Sequence, residues 1–171
     1  TTAEKLAALK VLHPEIEGFS ITAGNSSGTN DACAAVAVVD RAYAAAEKLT
    51  VMATVKAWAA AGVPPRDTGL GAVKAIAKVL ERAGLKPSDV ALWEVNEAFA
   101  AVPIAACREF GLDEELVNFS GSGCSLGHPI AASGARMVTT LIYELQRRGG
   151  GIGVAAMCAG GGQGGAVVVE V

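Results

Sequence analysis

Apolar and polar positions follow two different periods along this chain, and the switches between them predict its elements. Between Leu70 and Ala83, Val73, Ile76, Ala77 and Leu80 recur at helical spacing, while Lys74, Lys78, Glu81 and Arg82 fall on the other face. That pattern predicts an amphipathic helix ended by Gly84. Predominantly apolar runs predict strands at Val51 to Ala60, Val90 to Val95, Gly151 to Met157 and Ala166 to Val171. Val117 to Phe119 is a shorter strand, and Val36 to Val39 is a buried-strand candidate. Further helices are expected over Ala3 to Lys10, from a cap at Asp40 to Lys48, from Glu97 towards Phe110, and from Ile130 to Arg148. Asn30 and Asp31 are both candidates to cap an Ala-rich helix after them. Pro103 falls inside its helix and should kink it or remove a hydrogen bond.

From Thr50 onward, strands and helices alternate as in layered α/β domains. The last two strands leave room for only a tight glycine connection, which makes them antiparallel neighbours. Before Thr50, the run Thr22 to Asp31 is rich in Gly, Asn, Ser and Thr and reads as a loop.

Composition narrows the class. Half of the residues are apolar, with few aromatics and 21 glycines, which favours closely approaching layers. A net charge of −3 argues against a general nucleic-acid surface. Gly149 to Val169 carries no charge, but nine of its residues are Gly, so a strand–loop–strand fits better than a membrane span. The four cysteines, Cys33, Cys107, Cys124 and Cys158, have no paired spacing, and His13 and His128 do not complete a zinc pattern. Four free thiols in a reducing, cytoplasmic setting are expected.

Three segments place reactive groups at element boundaries: Asn96-Glu97-Ala98-Phe99, Gly127-His128-Pro129 and Cys158-Ala159-Gly160-Gly161-Gly162-Gln163-Gly164. His128, fixed between Gly and Pro, is either a general base or a polar turn residue. Cys158 at a strand end is either an acid–base thiol backed by glycine amides or a small buried side chain. Asn96 suits a helix cap and also the holding of a water or carbonyl. Gly160, Gly162 and Gly165 match a dinucleotide fingerprint, but a strand rather than a helix follows, so a nicotinamide or flavin site is rejected. Cys124, four residues before His128, is a weaker candidate for a Cys–His pair.

In this order and at these separations, the three segments resemble the C-terminal portion of the thiolase family. The Asn-Glu-Ala-Phe form is similar to thiolases proper rather than to the sterol-carrier type. The resemblance implies a layered α-β-α fold with a mixed five-stranded sheet, of which this chain is the C-terminal half. Residues 1–26 would end the loop region that binds CoA, 27–49 would complete the N-terminal half, and 50–171 would form the C-terminal domain. By the same resemblance, a nucleophilic cysteine outside this chain takes up the acyl group of a 3-ketoacyl-CoA. His128 would activate it and, with a water on Asn96, form one oxyanion hole. Cys158 would protonate or deprotonate the α-carbon, the Gly160 amide would serve a second oxyanion hole, and Ser27 would contact pantetheine. Coenzyme A enters as substrate, and no other cofactor or metal is implied.

Departures from the family lie at Thr68, Ala72, Lys74 and Ala131. The first three leave the acyl-chain preference open. The implied partner is an N-terminal thiolase part carrying the nucleophile, in an assembled dimer or tetramer without membrane or nucleic acid. Two other readings remain: a condensing enzyme of fatty-acid or polyketide synthesis, against which Cys158 counts, and a non-catalytic CoA-binding or scaffold subunit.

Overall fold

The computed structural model describes residues 1–171. Four strands form one mixed sheet: β1 (Thr54–Gly62), β2 (Leu92–Val95), β3 (Ile152–Ala159) and β4 (Gln163–Glu170), in the order β1-β4-β3-β2. β1 and β3 both run antiparallel to β4, whereas β2 runs parallel to β3, in register from Leu92 opposite Gly153 to Val95 opposite Ala156. Six helices accompany them: α1 (Ala3–Ala7), α2 (Arg41–Ala46), α3 (Leu70–Ala83), α4 (Ala101–Phe110), α5 (Gly123–Leu126) and α6 (Ile130–Arg147). None is long and apolar enough to cross a membrane.

Helices lie against both faces of the sheet, although Val55 and Trp58 of the edge strand β1 stay exposed, and the two-residue period of the strands divides the core in two. On the side of α3 and α4, Trp93, Val95, Val154, Ala156 and Val168 pack against Ala72, Ile76, Val79 and Val102. On the other side, Leu92, Ala155 and Val169 pack against Met137, Leu141 and Leu145 of α6. Strands buried on both faces favour apolar residues at successive positions, which is why β3 reads as a nearly unbroken run and β2 departs from one only at the buried Glu94. Truncating a central side chain such as the fully buried Ile76 to Ala should cost about 2–5 kcal/mol.

α3 forms where its periodicity predicts and ends at Gly84 in the left-handed conformation (φ 67°). Ala75 and Val79 join its buried face, while Ala77 lies outside it. Its first turn sits directly on the sheet. A Cβ on Gly71 would collide with the Gln163 carbonyl, and one on Gly164 with the Gly71 carbonyl. Its polar face is not simply solvated. Lys78 Nζ donates to the Ala60 carbonyl at 3.0 Å and Arg82 Nη1 to the Trp58 carbonyl at 2.7 Å, occupying acceptors of the edge strand β1.

Four expectations are corrected. The sheet has four strands, not five: Val117 makes only an isolated bridge to Trp93, because Asn118 adopts a left-handed conformation (φ 52°). The Asn118 side chain then replaces a strand, accepting from Val95 N and donating to Val95 O, both at 2.8 Å. Val36 to Val39 forms no strand and stays exposed, since no segment of the chain pairs with it. The Ala-rich segment after Asp31 is not helical, although Asp40 does cap α2 through Ala42 N at 2.7 Å. Finally, α4 starts at Ala101, so Pro103 occupies its first turn, where an N–H has no intrahelical acceptor, and the proline carries no such cost.

Candidate active site

The loop from Asn118 to Pro129 is fastened to the end of β2 by the two residues that follow that strand. Asn96 is fully buried, and its backbone N–H continues the ladder onto Ala156 at 2.9 Å. Glu97 reaches the other way. One carboxylate oxygen accepts from Asn118 Nδ2 at 3.0 Å and the other from Cys124 N at 3.2 Å, at the start of the single-turn α5. Gly127 then turns the chain with φ 103°, packed so closely on Asn30 that a Cβ would collide with its amide. That same amide, through Oδ1, accepts the His128 backbone N–H at 2.9 Å.

These contacts bring His128 to Asn96. Asn96 Nδ2 lies 3.3 Å from His128 Nε2. On the other side of the ring, Nδ1 lies 2.6 Å from Ser133 Oγ, whose hydroxyl donates to the Pro129 carbonyl at 3.1 Å. With the Ser133 proton placed on the Pro129 carbonyl, its oxygen is free to accept from the ring, and this network assigns the imidazole proton to Nδ1. Nε2 is left with a lone pair that receives the Asn96 amide. Burial, and then the positive charge of Arg136, hold the His128 pKa below the usual histidine value. The ring is neutral at pH 7 and its outward nitrogen is basic. Asn96 Oδ1, buried without a partner in the chain, is an acceptor beside that nitrogen.

His128 opens onto a cleft of about 500 Å³, lined also by Ser27, Asn30, Asp31, Pro129 and Ile130. Ser27 is carried there by its backbone, which donates to the Ala98 carbonyl at 3.0 Å next to an antiparallel bridge between Ser26 and Phe99. Loop and motif are thus one unit, joined again where Ala100 N donates to the Asn25 carbonyl at 2.8 Å.

Cys158 lies on β3, two residues past the Ala156 that receives Asn96, and is 6% exposed. Its side chain belongs to the core layer under α3 and makes no hydrogen bond to His128 or Asn96. Burial pushes its thiol pKa up, so at neutral pH it is a protonated acid rather than a thiolate. Gly160 follows in the exposed turn between β3 and β4, with open space where a side chain would stand. Of the five residues singled out in the sequence, His128 and Asn96 are in direct contact and Ser27 shares the cleft of His128, while Asn96 is buried behind it. Cys158 and Gly160 stand at the end of β3 without touching them.

Ser133 and Asn118 complete the arrangement without a mark in the sequence reading, together with Glu97, which stands there only as part of the Asn96 segment, and Asn30, which stands there only as a helix-cap candidate. The signal for Ser133 was its place five residues after His128 in the first turn of a helix, where a hydroxyl can face back to the ring.

Three comparisons with known proteins bear on this geometry. The acetyl-CoA acetyltransferase of Escherichia coli K12 is 45% identical over 99% of this chain and 43% of its own length. The 3-ketoacyl-CoA thiolase of Bacillus subtilis is 44% identical over the whole chain and 43% of its own length. The chain therefore spans less than half of the relatives it matches. Among solved structures, the acetyl-CoA acetyltransferase of Bacillus anthracis superposes with a TM-score of 0.90 at 42% identity, covering 99% of this chain and 42% of that one. Human mitochondrial 3-ketoacyl-CoA thiolase gives 0.89 at 36% identity, over 99% and 43%. Residues 49–171 match the family described as thiolase, C-terminal domain. With the Asn96–His128 pair at the end of a matching sheet, the chain belongs to the thiolase family.

Proposed function

We propose that this chain supplies the acid–base half of a thiolase, which cleaves a 3-ketoacyl-CoA with CoA or joins two acyl-CoA molecules by Claisen condensation. The observation that carries this reading is the His128 ring held between two partners, Nδ1 at 2.6 Å from Ser133 Oγ and Nε2 at 3.3 Å from Asn96 Nδ2, an arrangement that suits a proton on Nδ1 and a basic Nε2. The nucleophilic cysteine comes from outside residues 1–171. Within them, Cys124 donates to the Glu97 carbonyl, and burial raises the thiol pKa of both Cys107 and Cys124. In this reading residues 1–26 end the CoA-binding loop region, 27–49 complete the N-terminal half, and 50–171 form the C-terminal domain of a dimer or tetramer.

In cleavage, His128 Nε2 takes the proton of the nucleophilic cysteine, whose thiolate adds to the C3 carbonyl. A water on Asn96, with protonated His128, stabilises the resulting oxyanion. The C2–C3 bond breaks, leaving the acyl group on the cysteine and the electron pair on the acetyl-CoA enolate. The Gly160 amide faces the enolate oxygen, and the Cys158 thiol gives its proton to carbon. Cys158 regains a proton from the incoming CoA thiol, whose sulfur displaces the acyl group. His128 then returns its proton to the released cysteine. Ser27 contacts the pantetheine arm. Condensation is the same path reversed, with Cys158 as its thiolate removing the α-proton.

A complex with CoA is known for the human mitochondrial 3-ketoacyl-CoA thiolase, which supports a CoA arm along the Ser27 cleft. The test is exchange of the acetyl-CoA methyl protons with D₂O by the assembled enzyme. The reading expects exchange that disappears in Cys158→Ala. Equal exchange with and without the thiol would overturn the role of Cys158.

A further inference from the structure

Below the Asn96–His128 contact lies a second one that the chemistry above does not use. Arg136 Nη1 donates to Glu94 Oε2 at 2.6 Å, and Glu94 is completely buried. Glu94, on β2, precedes Asn96 by two residues, and Arg136 follows Ser133 by three on α6. Two residues share a face on a strand, and three share a face on a helix. The contact between β2 and α6 is therefore a ladder of two rungs, with Asn96, His128 and Ser133 on one and Glu94 and Arg136 on the next. Arg136 Nη2 also reaches Ser122 Oγ at 3.5 Å, and that oxygen accepts the Glu97 N–H at 3.4 Å, so the lower rung extends into the histidine loop.

Stability does not account for this pair. Glu94 Oε1 has no hydrogen-bond partner although it is buried, and burial pushes the carboxyl pKa up to about 7 despite the guanidinium beside it. Replacing a buried ion pair by apolar residues of similar volume is often neutral or stabilising. A pair kept at this cost fixes geometry. We propose that Glu94 and Arg136 are positioning residues that set the register of α6 along β2, holding His128 Nε2 on Asn96 and Nδ1 on Ser133. This rests on the reading of His128 as the base.

The chain has two histidines, so the tautomer of each can be read from ring nitrogen NMR shifts, with the exposed His13 as internal reference. The full chain is compared with Arg136→Lys, Arg136→Met and the double variant Glu94→Leu/Arg136→Met, which leaves no unpaired buried charge. The parent and Arg136→Lys should show His128 protonated on Nδ1 alone. Arg136→Met and the double variant should show a mixture of tautomers with His13 unchanged. In the assembled enzyme the double variant should lose kcat by about 10²-fold at unchanged KM, the size expected for misplacement of a catalytic group by ~1 Å. A folded double variant with the parent tautomer and kcat overturns the proposal, and it decides the matter even if Arg136→Met does not fold. A parent ring protonated on Nε2 would instead overturn the base reading, leaving the comparison between parent and double variant to judge the positioning role.

Discussion

Ser133 Oγ stands 2.6 Å from His128 Nδ1 while its own proton goes to the Pro129 carbonyl, so one small side chain dictates which nitrogen of the imidazole is basic. Ser133→Ala removes that constraint without adding bulk. The variant should keep its fold, with a stability loss of about 1–3 kcal/mol for two neutral hydrogen bonds. Turnover by the assembled enzyme should fall about 10–100-fold, less than the ~10²–10⁴-fold of losing the general base itself, because the ring remains and only its tautomer is released. Circular dichroism and initial rates check the two halves of this prediction separately.

Glu94 makes stability depend on pH. Its carboxyl pKa is raised from 4.5 to about 7 by burial, so the folded chain binds this proton more tightly than the unfolded chain. The resulting stability is fully present below pH 4.5 and is lost as pH rises through 7. The shift corresponds to about 3 kcal/mol. His128, whose pKa is lowered, acts in the opposite sense and gains stability as pH rises towards its unfolded value. Urea midpoints of the parent minus those of Glu94→Gln isolate the first effect, and that difference should fall between pH 5 and pH 8.

Asn118 holds both backbone groups of Val95 and one oxygen of Glu97. Asn118→Ala should destabilise the chain by about 2–4 kcal/mol, the cost of two buried backbone groups left unpaired. Because Glu97 also anchors the start of α5, amide exchange should rise in residues 118–128 while the β3–β4 hairpin stays protected.

Gly164→Ala tests the contact of α3 with the sheet, where the added methyl meets the Gly71 carbonyl. Backbone cannot yield as a flexible side chain does, so a loss at or above the ~1–3 kcal/mol of ordinary overpacking is expected. Gly165→Ala, one residue on and facing open space, is the control and should change thermal stability little.

Much of the fold follows from period alone. Helix α3 is set by local patterning and a closing glycine, whereas the β3–β4 hairpin is legible as two strands but its pairing runs on into the glycine loop, with β3 ending at Ala159 rather than Met157 and β4 starting at Gln163 rather than Ala166. The strand at Val117 was misread because a polar side chain, which hydropathy treats as mere interruption, supplies the missing ladder bonds. Val36 to Val39 has strand composition but no partner, and pairing is not a local property. At the site, His128 stood out by its Gly and Pro neighbours and Asn96 by its place after an apolar run. Glu94 and Arg136 did not, since 42 residues separate them and a carboxylate in an apolar strand declares no partner in advance.

The central claim is that this chain carries the acid–base groups of a thiolase, and CoA-dependent cleavage of acetoacetyl-CoA tests it most directly. Enzyme containing this chain together with a nucleophilic cysteine from outside it should release acetyl-CoA, and either His128→Ala or Cys158→Ala should abolish that release. Cleavage that survives both substitutions, or none by an assembled enzyme with an intact nucleophile, would contradict the account.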